Sequence, residues 1–112
     1  MIRRSFSAVI ARNEPWTGEV ATEPYECAWA REAIFFVRAL DARGTLRAAR
    51  ARAQISPDGI HWVDEGTAFP LPHRKGELTF GRVRHFGGFL RLAARIPPRA
   101  CAKVLVTLTL KE

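Results

Sequence analysis

The sequence has little cysteine and no long apolar run. Only two of its 112 residues are cysteine, Cys27 and Cys101, and their wide separation excludes a Cys-x-x-Cys redox motif and a cysteine-based zinc site. Two such thiols, without a secretion signal, are expected to be reduced rather than bridged. No apolar stretch approaches the roughly 20 residues that a membrane helix needs, so we expect no membrane span.

The N-terminal residues also lack the pattern of a secretion signal. Arg3 and Arg4 are followed by no sustained apolar region, because Arg12, Asn13 and Glu14 interrupt it. We therefore expect synthesis in the cytoplasm without a signal peptide. A virion or another assembled particle is a possible final location.

Motifs for catalysis and for cofactor binding are missing as well. The sequence contains no Gly-x-Ser-x-Gly elbow, no P-loop and no dinucleotide fingerprint. The three histidines, His61, His73 and His85, lie far apart without a second ligand at metal-site spacing. The acidic residues near the middle of the chain are better explained by turn formation than by acid–base chemistry. The sequence predicts a protein that is not an enzyme, with no catalytic residue, no metal and no cofactor.

Arginine is the residue type that the sequence has in excess. Lysine and arginine together number 18 against 11 acidic residues, which gives a formal net charge of +7. Such an imbalance favours contact with an anionic partner, namely nucleic acid, a membrane surface or an acidic protein subunit. A GC-rich genome and a solvated surface would produce the same composition, so the charge alone does not assign a function.

Alternating apolar and polar residues predict β-strands along most of the chain. The clearest strand is the last, at 103–111, where one face carries Val104, Val106, Leu108 and Leu110. Another strand is predicted at 77–84, with Leu78 and Phe80 facing the core. Turn signals recur about every ten residues, as in small sandwiches. The sequence thus predicts a single all-β domain, an antiparallel β-sandwich of jelly-roll type with about seven or eight short strands.

Two segments are open to more than one interpretation. Residues 1–24 contain a first strand and several turn-forming residues, and we expect them to be a possible interface arm beside a sandwich core at 25–112. Residues 45–53 are rich in alanine and arginine, which favours a helix, yet their strict alternation favours a strand. We prefer the strand.

An apolar run from Ala33 to Val37 is hydrophobic on both faces. Only one face of a strand lines the core of a two-layer sandwich. We therefore assign Phe35 and Val37 to the outer face and predict that they contact another subunit. Trp16 and Trp29 complete this candidate interface.

A hairpin near the middle of the chain is the most specific local signal. Residues 56–62 read Ser-Pro-Asp-Gly-Ile-His-Trp, in which proline presets φ, aspartate hydrogen-bonds the backbone and glycine accepts a positive φ. The hairpin position predicts that the tryptophan packs into the core. We assign a structural role in the hairpin to Ser56, Asp58, Gly59 and Trp62.

This segment resembles the Asp-box of sialidase-type propellers, in which Ser, Asp, Gly and Trp mark a hairpin. Here Asp58 and Gly59 are adjacent, without the residue that often separates them, and the motif occurs once. In that family the motif is a folding element remote from catalysis, so the resemblance implies no sialidase activity. The wider layout, which includes 89–92 and the final Leu-Thr-Leu-Lys strand, resembles small β-sandwich proteins among phage structural components.

Six arginines lie in pairs on predicted strand faces, where they are candidate contacts to an anionic partner: Arg50, Arg52, Arg82, Arg84, Arg91 and Arg95. If the strands are neighbours, the arginines form a basic stripe that could contact phosphates or the carboxylates of another subunit. Aromatic residues for base stacking are poorly placed, so nucleic acid is not the favoured partner.

Taken together, these patterns predict a non-enzymatic structural or assembly protein that acts through subunit contacts, as a homo-oligomer or in a larger protein assembly. A coat, decoration, tail or filament component of a phage-like particle fits. One alternative is a carbohydrate- or ligand-binding sandwich, which would need exposed Trp16, Trp29 or Trp62. The other is nucleic-acid binding through the arginine-rich face.

Overall fold

The computed structural model describes residues 3–112, and the regular elements in this range are nine strands. They are β1 (Ser5–Trp16), β2 (Glu19–Ala21), β3 (Tyr25–Glu26), β4 (Glu32–Arg43), β5 (Arg50–Ser56), β6 (Val63–Pro70), β7 (Leu78–Arg84), β8 (Phe89–Arg95) and β9 (Cys101–Lys111). The first sheet has the order β1-β9-β4-β7, and the second has the order β2-β8-β5-β6, with β3 also paired to β8. In the described range no helix is long and apolar enough to cross a membrane.

The strands pair in a nested order. β5 pairs with β6, β4 with β7, β2 and β3 with β8, and β1 with β9, always antiparallel. Two further pairings, β4 with β9 and β5 with β8, join these hairpins into two sheets. This is the strand order of a jelly roll. The predicted fold class, a single all-β antiparallel sandwich, is confirmed.

Side chains that alternate along the long strands fill the space between the sheets. On β9 the inward residues are fully or almost fully buried, and they are Ala102, Val104, Val106, Leu108 and Leu110. Leu90 and Leu92 of β8 meet this layer from the second sheet. Each large apolar side chain buried in this way stabilises the fold by about 1.5–3 kcal/mol. The predicted inner face of the last strand is therefore correct.

The predicted orientation of β4 is wrong. Phe35 and Val37 have no exposed surface, whereas Ile34 and Phe36 face outward. The reason is the register with β9, in which Phe35 lies opposite the inward-facing Leu108. Both faces of β4 are apolar, so alternation alone does not decide which face turns inward.

The predicted orientation of β7 is reversed in the same way. Leu78 and Phe80 are 56% and 49% exposed, while Gly81 and Val83 are buried. A side chain at Gly81 would overlap the ring of Phe69, which reaches across from β6. The aromatic ring occupies the space that a core side chain of β7 would otherwise fill.

The structure decides between strand and helix in one of the two ambiguous segments. Within 45–53 the chain turns at 47–48 and becomes strand β5 from Arg50 onward, which confirms the strand over the helix for that part. Within 1–24, the described part of the expected interface arm consists of β1, which pairs with β9 along its length, and the short strand β2. Asn13 has a φ of 53° and register shifts interrupt β1, features that make an edge strand a poor template for further pairing.

The two ends of the described chain meet beside this pair of strands. The Arg4 guanidinium donates two hydrogen bonds to Glu112 Oε2, at 3.1 and 3.0 Å, and the Glu112 amide donates to the Arg4 carbonyl at 3.0 Å. The hydrogen bonds that the Arg4 guanidinium and the Arg4 amide donate to the carboxylate lower the pKa of Glu112. Both cysteines are free thiols, and burial raises the pKa of Cys27 to about 11.

Replacement of Gly81 tests the contact between the sheets. We expect Gly81→Ala to lower the free energy of unfolding by about 1–3 kcal/mol, because the added methyl group overlaps the Phe69 ring in a packed core. Gly87→Ala is the matched control, since a Cβ there has no atom within 4 Å. Urea denaturation followed by circular dichroism measures both, and equal effects would contradict the packing described.

Candidate functional site

The outer face of the first sheet has an apolar centre. Its members are contributed by all four strands, and we call this surface the apolar face: Val9, Ile34, Phe36, Leu78, Phe80 and Leu105. Three of these side chains are strongly exposed, with Val9 at 42%, Leu78 at 56% and Phe80 at 49%. The sequence placed such a surface on the correct strand, β4, but on the wrong alternating positions.

Cross-strand register brings these side chains together. Phe36 lies opposite Phe80, with ring centroids 6.2 Å apart and an angle of 37° between the ring planes. The Arg82 guanidinium lies 5.2 Å from the Phe80 centroid, a cation–π contact. Contacts between neighbouring strands of the same chain therefore fix the positions of the aromatic rings at the centre of the apolar face.

Each end of the apolar face carries one carboxylate among basic side chains. Glu32, where β4 begins, is 3.3 Å from Arg84, and Asp41, near the end of β4, is 3.5 Å from Arg43. The residues of β9 that lie opposite the two carboxylates are Lys111 and Lys103. The two ends thus have the same kind of charge distribution.

Two of the predicted interface tryptophans have different positions. Trp16 is the last residue of β1, and its indole packs in the core with only 2% exposure. The prediction that it is an interface residue is therefore wrong. Trp29 is partly exposed, and the Arg4 guanidinium lies 4.6 Å from the centroid of its ring. Trp29, Phe6 and Tyr25 border a cleft of about 370 Å³.

The six predicted arginines fall into two groups on opposite sheets. Arg82 and Arg84 belong to β7 in the first sheet. The other four lie on the outer face of the second sheet, where β5 pairs with β8: Arg50, Arg52, Arg91 and Arg95. The pairing therefore forms a patch of four arginines rather than one stripe of six.

Arg91 covers the tryptophan of the predicted hairpin. Its guanidinium lies 4.3 Å from the Trp62 ring centroid, and its Nε donates to Gln54 Oε1 at 2.7 Å. Partial burial lowers the pKa of Arg91. The prediction that Trp62 packs into the core is wrong, because the indole lies at the surface under an arginine.

The loop between β5 and β6, at 57–62, is organised by one carboxylate. Asp58 Oδ1 accepts from the amides of His61 and Ile60, both at 2.9 Å, and Oδ2 lies 2.7 Å from His61 Nδ1. Ser56 Oγ donates to Asp58 Oδ1 at 2.9 Å and accepts from the amide of Gly59, whose φ is +79°, at 2.8 Å. These hydrogen bonds, those from His61 above all, hold the pKa of Asp58 well below its usual range.

The same contacts define what this loop can do chemically. Ser56 Oγ bonds Asp58 and the backbone rather than His61, so the three polar side chains are not arranged as nucleophile, base and orienting acid. The carboxylate of Asp58 is occupied by hydrogen bonds within its own loop. Across residues 3–112, no three of His, Cys, Asp and Glu come close enough to hold a metal ion.

The sheets and their connections define the class of the molecule, a jelly-roll β-sandwich with an apolar face on one sheet and an arginine patch on the other. A scan against protein-family models and a search of curated proteins found no match. Among solved structures, the chain is similar to the SPBc2 prophage-derived protein YomS, with a TM-score of 0.61 and 11% identity over 100% of this chain and 96% of that one. At this identity the likeness shows the fold alone, and it agrees with the resemblance to phage β-sandwich proteins.

The low pKa of Asp58 predicts that the stability contributed by its loop depends on pH. A carboxyl whose pKa is depressed in the folded state contributes stability above its unfolded pKa of about 4, and this contribution is lost as pH falls. We expect Asp58→Ala to lower the melting temperature at about pH 7, and we expect the difference from the wild type to shrink below about pH 4. Thermal denaturation at both pH values measures this, with the exposed Glu23→Ala as control. A difference that does not depend on pH would contradict the role assigned to the carboxylate.

Proposed function

We propose that this chain is a non-enzymatic structural subunit of a phage-like assembled particle, and that it associates with a second copy of itself through the apolar face. The observation that carries the proposal is the exposure of Phe80, at 49%, directly opposite the half-buried Phe36. Leu78 is 56% exposed on the same strand as Phe80, and Val9, 42% exposed, lies on the far side of Thr107 in the same row as Phe36. Exposed apolar patches on a small protein usually mark interfaces. The prophage-derived structural neighbour supports the phage-like part of the proposal.

The charges around the apolar face favour a second copy as the occupant. A two-fold axis that lies in the interface, perpendicular to the strands, reverses the strand direction between copies. The end of one copy that carries Glu32 then lies over the end of its partner that carries Asp41, and each carboxylate meets basic side chains. This geometry therefore allows each carboxylate to pair with a basic side chain of the other copy, while the apolar centre supplies the main attraction.

The dimensions of the molecule are also sufficient. The chain extends 47 × 28 × 20 Å, so a face of the sandwich is broad enough for the roughly 800 Å² per partner that stable interfaces bury. Packing of two such sheets face to face, about 10 Å apart, would bury aromatic side chains at the centre.

The other predicted functions have weaker support. A carbohydrate-binding face needs free aromatic surfaces, yet Trp16 is buried and arginines lie over Trp29 and Trp62. Nucleic-acid binding would use the arginine patch, where the indole of Trp62, a surface on which a base could stack, is covered by Arg91. The non-enzymatic part of the proposal is supported by the Asp58 loop, whose polar groups are engaged with one another.

Substitution at the centre of the apolar face tests the proposal. We expect the wild type to elute as a dimer or larger species that persists at high salt, because apolar contacts are not screened. Phe80→Ser should weaken association about tenfold or more, the loss expected for a central aromatic residue in an interface. Size exclusion with light scattering, over a range of protein concentrations and with the nucleic-acid absorbance ratio recorded, measures both.

The matched control is Ile60→Ser. Ile60 is 75% exposed but lies in the 57–62 loop, away from the apolar face, so its replacement should leave the mass unchanged. A wild-type protein that stays at 12.6 kDa at every concentration overturns the self-association. So does a large species that falls apart when bound nucleic acid is digested.

A further inference from the structure

We propose that the second sheet carries a separate binding site for an acidic, extended segment of a protein partner. The site is a concavity of about 420 Å³ beside the beginning of β5 and the end of β8. Three arginines line it, and the rest of the lining that matters here is small or apolar: Arg50, Arg52, Arg95, Ala68, Pro97 and Pro98. The site lies on the sheet opposite to the apolar face and does not depend on the self-association proposed above.

Strand register brings the three arginines together. Arg50 and Arg52 project from the same face of β5, about 6.5–7 Å apart along the strand. Ala51 pairs with Ala94 of β8, so Arg95, the next residue of β8, is carried to the same end of the face. Guanidinium groups thus approach the concavity from two neighbouring strands.

The carboxylates near these arginines leave most of the guanidinium donors available. Glu19 Oε1 is 3.5 Å from Arg95 Nε, and Asp64 Oδ1 is 3.7 Å from Arg52 Nε. Both distances exceed the roughly 2.7–2.9 Å of a strong charge-assisted hydrogen bond. Asp64 Oδ1 also accepts from Gln54 Nε2 at 3.0 Å, which diverts it from the arginine.

One donor in the concavity is both buried and unsatisfied. Arg52 Nε is shielded from solvent and has no hydrogen-bond partner within residues 3–112, although the side chain as a whole is 38% exposed. A buried donor without an acceptor is costly and is rare in folded proteins. Because 38% of the side chain is exposed, an added carboxylate can reach the outer nitrogens of this guanidinium, whose planar fork matches that group well.

The lining favours a protein segment over nucleic acid. Side chains that alternate along an extended peptide repeat every 6.5–7 Å or so, the spacing of Arg50 and Arg52, so acidic residues at alternate positions meet both arginines. Pro97 and Pro98 offer apolar contact to the residues in between. Single-stranded nucleic acid is usually held by aromatic stacking, and the described lining of this concavity contains no aromatic side chain.

A binding titration with a defined probe tests the site. The probe is a fluorescein-labelled synthetic peptide of alternating Glu and Val, with a labelled oligothymidylate of equal charge as the competing class, and anisotropy as the readout. We expect the peptide to bind more tightly than the oligonucleotide at the same salt concentration. Arg52→Gln should weaken peptide binding about tenfold, the loss that goes with one charge-assisted hydrogen bond.

Two further variants keep the result interpretable. Arg74→Gln removes one charge from the exposed loop between β6 and β7 and should change the affinity less than about twofold, because a distant surface charge is screened. Ala68→Glu keeps all three arginines but places a carboxylate opposite Arg52, and it should abolish peptide binding without lowering the melting temperature.

The outcomes separate this site from the proposed self-association. Phe80→Ser should retain peptide binding, whatever it does to the oligomeric state. Equal losses for Arg52→Gln and Arg74→Gln would show that net charge alone attracts the peptide, and this would overturn the site. Tighter binding of the oligonucleotide that depends on Arg52 would overturn the choice of a protein partner. The absence of peptide binding to the wild type would overturn the proposal altogether.

Discussion

The carboxylate of Asp58 accepts the hydrogen bonds that order the loop between β5 and β6. These two strands form the innermost pair in a nested series of strand pairs. Each later pair, from β4–β7 outward to β1–β9, encloses the one before it. A shift of one residue in an antiparallel register moves a whole set of side chains to the other side of the sheet. The innermost hairpin has its own source of order, namely short-range hydrogen bonds between residues 56 and 61.

The contact between Phe69 and Gly81 explains why the first sheet has a hydrophobic exterior. The ring from β6 fills the core beside β7, and the neighbouring apolar side chains of β7, Leu78 and Phe80, point outward. β4 is apolar on both sides, and its outer residue Phe36 meets Phe80 there. The apolar face thus results from packing on the inner side of the same sheet, where Phe69 lies against Gly81. That packing also fixes the shape of the apolar face.

Two kinds of feature were predictable from the sequence: turns with characteristic residues, and strands that have one apolar and one polar face. Alternation in β9 identified its inner face correctly, and the Ser-Pro-Asp-Gly segment located the hairpin. The orientations of β4 and β7 were not predictable, because β4 is apolar on both faces and the inward position of β7 is a glycine that carries no hydrophobic signal. The position of Trp62 depends on Arg91, which is distant in sequence and lies on a strand whose pairing to β5 only the fold defines.

The meeting of Arg4 with Glu112 also determines how the molecule would respond to a mechanical load. β1 and β9 are adjacent and antiparallel, and their outer ends lie side by side, so tension applied between these two residues pulls the strands apart sideways. The ladder hydrogen bonds run perpendicular to the strands, along the pulling direction, and would therefore open one after another like a zip. The fold would therefore resist a load applied through the broad sides of the sandwich better than a load applied between Arg4 and Glu112.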